Sequence, residues 1–287
     1  MYRPRTYRAL AAAERFVYFP VRYRETDLWI GVDRPSFRPS LGRDLLERVI
    51  DLRLQLESYI ERRPEFRTSF EPLPEDPRAP GMAAAMIAAS AAAGVGPMAA
   101  VAGAFADEAA RFLLGPGRCR EAVVENGGDI ALSGAGEFTA ALLAGDSPLS
   151  GKLGLRIRGG GCRGLAASAG RVGPSYSAGR ADACAVLARD AARADAFATA
   201  FGNRVGSGPD IGSVLDLARR TEGVLGIALV AGGTFGCAGD LEVVPLAPGR
   251  VRDRSGEFPN GGRSPDTRRR PGPAAPEART VRAGRLP

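Results

Sequence analysis

Twenty-five consecutive residues, Met82 to Ala106, carry no charge, and any fold for this chain has to hide them. By residue count the stretch is long enough to cross a bilayer. Its composition argues otherwise, because alanine and glycine gain little from lipid, and Gly94-Val95-Gly96-Pro97 breaks it in the middle. The expectation is two short buried helices packed closely through small side chains and no membrane span. The second starts at Pro97 and runs to about Leu114, where Gly115-Pro116-Gly117 stops it. The apolar run Ala9 to Ala13 is ended too early by Glu14 and Arg15 for a secretory signal.

Around this stretch the pattern separates into helical and strand-like blocks. Phe16 to Tyr23 and Leu28 to Val32 are aromatic and β-branched, with Arg24-Glu25-Thr26-Asp27 as a polar turn, which predicts a hairpin. Ser40 is placed to cap a helix in which Leu41, Leu45, Leu46, Val49, Ile50, Leu52, Leu56 and Ile60 recur at helical spacing. Beyond Gly117, short runs at 121–125, 129–133, 138–143 and 153–157 read as strands of an antiparallel meander divided by glycine and aspartate turns. A strand at 181–188, helices at 191–203 and 211–221, and strands at 224–230, 234–237 and 241–244 follow. Strand runs beside segregated helices predict an α+β domain over residues 1–248. Residues 249–287 are arginine, proline and glycine with little to bury, and are expected to be a disordered tail.

The tail also settles the charge. From Arg250 onward ten arginines face four carboxylates, so this segment holds +6 of the net +7 and the body is close to neutral. A neutral body argues against nucleic acid, which needs a basic face on the folded surface. There is no histidine, and the four cysteines, Cys119, Cys162, Cys184 and Cys237, form no C-x-x-C pair. Zinc ribbons, histidine metal sites and Ser-His or Cys-His nucleophiles are thereby excluded. Acid-base chemistry falls to Asp, Glu, Tyr, Cys or Lys152, the single lysine. Dispersed thiols without a secretory signal fit a reducing cytoplasm.

Asn126-Gly127-Gly128-Asp129 lies between two predicted strands, where paired glycines permit φ > 0 and close approach of a ligand, although an ordinary hairpin uses the same residues. Asp195 and Thr199 fall on one face of a helix as two hard oxygen donors, suited to Mg²⁺. The alternative is a solvated aspartate and a threonine bonded to its own helix. Ser168-Ala169-Gly170 and Ser175-Tyr176-Ser177-Ala178-Gly179-Arg180-Ala181-Asp182 make a hydroxyl-rich loop of the kind that binds phosphate or merely connects elements. Gly96, opening a helix, offers either an anion site or close helix packing.

In combination and order, these segments resemble the ApbE superfamily. Gly96-Pro97-Met98-Ala99-Ala100-Val101-Ala102-Gly103-Ala104, Glu125-Asn126-Gly127-Gly128-Asp129-Ile130, Gly179-Arg180-Ala181-Asp182 and Ala194-Asp195-Ala196-Phe197-Ala198-Thr199-Ala200 look like its bacterial and archaeal ApbE-like branch. The resemblance runs from about Arg3 to Pro248. It implies a T-fold-like α+β architecture and Mg²⁺-dependent handling of FAD or FMN. In the transferases FMN passes from FAD to a threonine hydroxyl of a protein acceptor. It further implies Asp195, Thr199 and the Val101 carbonyl as metal ligands, with Gly96, Asn126, Gly127, Gly128, Asp129, Ser168, Gly170, Ser175, Ser177, Gly179 and Asp182 toward the nucleotide. The chain departs from the transferases at Ala102, where they carry lysine, and in lacking their His-x-x-Asp-Pro segment. Gly173-Pro174-Ser175 also replaces the branch's Gly-His-Ser.

No residue is therefore assigned as catalytic, and Asp129, Asp182 and Glu125 are the remaining candidate bases. A nucleotide-binding protein with residual pyrophosphate cleavage is the first expectation. The alternatives are an enzyme or accessory protein of anaerobic sulfur assimilation (homocysteine formation), which the resemblance implies by family association and which would draw attention to Cys162 beside Gly159-Gly160-Gly161, itself also readable as a structural cysteine, and a non-catalytic scaffold of the same fold. A protein acceptor and self-association stay open.

Overall fold

The computed structural model describes residues 15–168 and 181–246. Among them are eleven strands and six α-helices. β1 (Phe16–Tyr23) and β2 (Thr26–Asp33) form the expected hairpin, with Tyr23 opposite Thr26. α1 (Leu41–Arg62) buries Leu41, Leu45, Val49, Leu52 and Leu56 of the predicted stripe and adds Tyr59, while Leu46, Ile50 and Ile60 flank it half-buried. Ser40 does not cap it through its side chain. The residue is itself helical, and it is its carbonyl that accepts from the Arg43 and Asp44 amides.

After the single turn α2 (Glu65–Thr68) come α3 (Gly81–Ala93), a short 3₁₀ turn at Pro97–Ala100 and α4 (Val101–Leu113). Gly94, at φ 69°, ends α3 in the left-handed conformation that glycine adopts without cost. The two apolar helices meet at a bend of 104°. Among the described residues no single helix is long and apolar enough to cross a membrane.

β3 (Ala122–Asn126) and β4 (Asp129–Gly134) extend the first hairpin. The predicted meander does not continue as one sheet. β5 (Phe138–Ala141) and β6 (Leu153–Ile157) leave it and pair instead with β11 (Glu242–Pro245) as a separate three-stranded sheet. The large sheet resumes with β7 (Gly161–Ser168), β8 (Ala183–Ala188), β9 (Val224–Ala231) and β10 (Thr234–Gly239). Its order is β1-β2-β3-β4-β7-β8-β9-β10, antiparallel throughout.

Alternation along β8 shows how the layers are divided. Ala183, Ala185 and Leu187 join the core shared with the small sheet, including Leu142, Leu155 and Ile157. Cys184, Val186 and Ala188 face the other way, into the core built with α3, α5 (Ala191–Gly202) and α6 (Asp210–Arg220). Helices thus cover one face of the large sheet and the small sheet the other.

Candidate functional site

α4 and α5 approach each other as closely as two backbones can. A methyl on Gly103 would sit 2.1 Å from the Ala191 carbonyl oxygen, so only glycine fits at this point of α4. The contact places the first turn of each helix beside the second turn of the other, and each supplies a carboxylate to its neighbour's N-terminus. Asp195 Oδ2 on α5 accepts from the Gly103 amide at 3.1 Å. Asp107 on α4 accepts from the Ala191 and Ala192 amides, both at 2.9 Å, one with each oxygen. The first amides of a helix have no partner within it, so this reciprocal arrangement satisfies donors that would otherwise be stranded in the core. Asp190 completes the start of α5 by accepting from the Arg193 amide at 2.8 Å.

The β3–β4 turn docks on the same helix start. Asn126 stands opposite Asp129 with only Gly127 and Gly128 between them, at φ 74° and 111°. Two successive positive φ values fit a tight two-residue hairpin loop of the primed type. Glu125 accepts from the Gly128 amide at 2.9 Å and stiffens the loop, while the Asn126 side chain donates to the Ala102 carbonyl at 3.0 Å. The turn is a hairpin, as one reading of its glycines has it, and it is also anchored to α4. Asp129 and Asn126 are buried. The structure therefore gathers Val101, Ala102, Gly103, Asn126 and Asp195 around one helix N-terminus, and Thr199 lies one turn further along α5.

Other predicted residues serve the fold visibly. A methyl on Gly96 would meet the Ser69 carbonyl oxygen at 1.8 Å, which is the close-packing use of that glycine. The Asp182 carboxylate accepts from the Gly232 amide at 2.7 Å and so braces the β9–β10 turn. Ser168 ends β7 opposite Cys184. Gly170, Ser175, Ser177 and Gly179 lie outside the described residues. Cys162 is exposed at the start of β7, opposite Ser133. That puts it roughly 14 Å along the sheet from the Asp129 end of β4. Asp107 did not figure among the sequence candidates. Its signal was present, however: an aspartate inside an alanine-rich helix, four residues after Gly103 and so on the same face.

Burial pushes the Asp195 carboxyl well above its ordinary range, against the opposing bonds from the Gly103 and Ala102 amides, and Asp107 adds like-charge repulsion. Burial likewise pushes Asp107 up to about 6, opposed by the Ala191 and Ala192 amides. Among the described residues Asp195 makes no ion pair. A carboxylate held by amides but not neutralised favours a cation from solution. The oxygens of Asp195, Thr199 and Val101 have the hardness that Mg²⁺ prefers. Among the described residues no three His, Cys, Asp or Glu side chains converge as a metal cluster. A set with one carboxylate leaves most of an octahedral shell to water and phosphate, which is the usual way Mg²⁺ is held.

Comparison with known proteins identifies the family and the fold. The family model described as AbpE bacteria matches residues 8–230. A UPF0280 protein of Methanothermobacter thermautotrophicus is 40% identical over 218 residues, covering 74% of this chain and 84% of the relative. One from Methanococcus vannielii is 39% identical over 193 residues, covering 66% and 76%. In structure, the apo flavinyl transferase ApbE of Pseudomonas stutzeri superposes with a TM-score of 0.51 at 16% identity, covering 78% of this chain and 93% of that one. A histidine-to-glycine mutant of the Vibrio cholerae flavin transferase ApbE gives 0.51 at 14% identity, covering 78% and 96%. At such identities the likeness establishes the α+β fold.

Proposed function

Because the chain belongs to the AbpE bacteria family, we propose that it binds a flavin nucleotide, FAD or FMN, or a closely related phosphate ligand, together with Mg²⁺ at the start of α4. The observation that carries this reading is the convergence of Asp195, the Val101–Gly103 backbone and the Asn126–Asp129 turn on one helix N-terminus. Asp195, Thr199 and the Val101 carbonyl would hold the metal, which would act as Lewis acid at a pyrophosphate. The fold shared with the flavin transferases of Pseudomonas stutzeri and Vibrio cholerae supports the flavin class.

Covalent flavinylation is a poor match to these residues. A hydroxyl nucleophile must lose its proton as it attacks phosphorus, and a positioned base usually contributes a factor of about 10²–10⁴. The chain has no histidine, and Ala102 stands where the transferases carry lysine. Glu125 is engaged with the Gly128 amide and Asp182 with the Gly232 amide. Slow hydrolysis is expected before flavinylation: water bonds to one phosphorus of FAD, the P–O–P bond breaks, FMN and AMP leave, and the water's proton passes to solvent, a step that the same lack of a positioned base keeps slow. Calorimetry with FAD is the test. Binding is expected with Mg²⁺ and is expected to vanish with chelator or in Asp195→Ala. Tight binding indifferent to both would remove the metal from the site. A strong covalent flavin band on an acceptor protein, lost in Asp195→Ala, would restore the transferase reaction.

A further inference from the structure

A cleft of about 460 Å³ is lined by Pro35, Ser36, Arg38, Gly117, Arg118, Cys119 and Arg120, residues that take no part in the α4–α5 site. We propose that it is a binding site for a small phosphate-bearing anion, recognised by the guanidinium groups of Arg38, Arg118 and Arg120.

What distinguishes these arginines is the kind of partner that holds them. Arg38 donates to the Gly117 carbonyl and, at 3.5 Å, to that of Arg118. Arg118 donates to the Phe112 carbonyl at 3.1 Å, with its guanidinium 4.0 Å from the centre of the Phe112 ring. Both are positioned by neutral groups, so their geometry is fixed while their charge is kept. Arg53 and Arg63, by contrast, are each tied to two carboxylates. Among the described residues none of Arg38, Arg118 and Arg120 has a carboxylate within ion-pair distance.

The acid beneath the cleft, Asp33, is already engaged. It accepts from the Arg120 and Glu121 amides at 2.9 and 3.0 Å and from the Ser36 hydroxyl at 2.6 Å. Burial raises its pKa, but those bonds outweigh burial and hold the carboxyl below its ordinary value, so it stays ionised. Its bonds fasten the Pro35–Ser36 wall to the start of β3, which fixes the spacing of the two sides. Three guanidinium groups against one fully bonded carboxylate leave the cleft cationic. The planar N–H fork of arginine matches phosphate oxygens in pairs. The volume suits a phosphate monoester or a pyrophosphate better than a polymer.

The experiment is calorimetric titration of the full chain with inorganic phosphate and, separately, with glycerol phosphate, in chelator, so that the metal site is silent. Saturable binding of one equivalent is expected. Arg120→Gln should weaken it about tenfold, the cost of losing a charge-assisted hydrogen bond. Among the described residues the Arg120 side chain holds no other part of the fold through an ion pair, so this variant is expected to remain folded. Arg118→Lys, which keeps charge but loses the fork, should weaken binding by a smaller factor. Asp195→Ala should leave it unchanged, and that control separates failure here from failure of the flavin reading. Binding of the monoester but not of free phosphate would assign the cleft to an organic ligand, and binding of both would assign it to the phosphoryl group itself. Absence of saturable binding of either, or equal affinity in Arg120→Gln, would overturn the proposal.

Discussion

The α4–α5 crossing and the arginine cleft are electrostatic opposites built by one device. In the first, two half-buried carboxylates are held by backbone amides. In the second, two guanidinium groups are held by backbone carbonyls. Neutral partners fix a charged side chain without an opposing charge, so the cleft keeps a positive field, and the crossing carries a negative one once its two carboxyls, which burial makes weaker acids, have lost their protons. Along α1 the opposite choice is made: Arg48, Arg53 and Glu57 are neutralised in side-chain ion pairs. The difference marks where the molecule has charge left for a ligand and where charge is used up on structure.

The severest way to break the comparison is to force the two helices apart. Gly103→Ala should cost about 3 kcal/mol or more, because the methyl meets a backbone carbonyl that cannot yield. That corresponds to a fall in melting temperature of roughly 6–12 °C for a domain of this size. An unchanged melting temperature would mean that the helices do not touch there.

Next in size is Asp107→Ala, which strips both amides at the start of α5 of their acceptor. Loss of such a cap costs about 1–2 kcal/mol, partly offset by removing a buried charge. A purely structural role predicts lower stability alone. The helix crossing also predicts weaker Mg²⁺-dependent FAD binding, because α5 carries Asp195 and Thr199, and titration calorimetry separates the two.

Acidity sharpens the contrast further. Asp107 and Asp195 have folded pKa values raised above their unfolded ones, so the folded state binds protons more tightly and stability falls as pH rises through that range. In chelator the melting temperature should drop between about pH 5 and pH 8, and Asp107→Ala should flatten that slope. Added Mg²⁺ should act in the reverse sense, stabilising more at about pH 8 than at about pH 5.5, since the ion competes with the proton for Asp195. A slope unaffected by Asp107→Ala would show that other groups set it.

The smallest effects are expected where no partner is lost. Arg120→Gln should change stability by less than about 0.5 kcal/mol, however strongly it affects phosphate binding. We propose likewise that a chain ending at Pro248 melts within about 1 °C of the full chain, because the segment removed has little apolar area to bury. A larger loss would show that the tail packs.

Much of this architecture was legible in the sequence because its signals are local. The first hairpin and α1 follow from alternation and from a leucine stripe. β7 was not foreseen: Gly161-Cys162-Arg163-Gly164-Leu165-Ala166-Ala167-Ser168 has no β-branched residue, and it is a strand because β4 and β8 pair with it from both sides. Gly164 has a reason that also lies elsewhere in the chain, since a methyl there would meet the Asp190 carbonyl oxygen at 2.1 Å. The departure of β5 and β6 to join β11 is equally non-local. At the site, Asp195 and the Asn126–Asp129 turn were visible as motifs. Their meeting on Gly103 and Ala102 was not, because no spacing rule links residues so far apart in the chain.

That separation has a consequence for how the protein is made. α4 leaves the ribosome long before the Asp195 carboxylate that closes its first turn, which follows Gly103 by 92 residues, and Asp107 has to wait 84 residues for the amides it serves. Neither helix start is satisfied within its own helix, so the crossing can close only once the chain through α5, with β3 to β8 in between, has been made. Interactions formed after the rate-limiting step govern how fast a protein comes apart more than how fast it assembles. Weakening either carboxylate should therefore shorten the lifetime of the native state while leaving the speed of its formation nearly untouched.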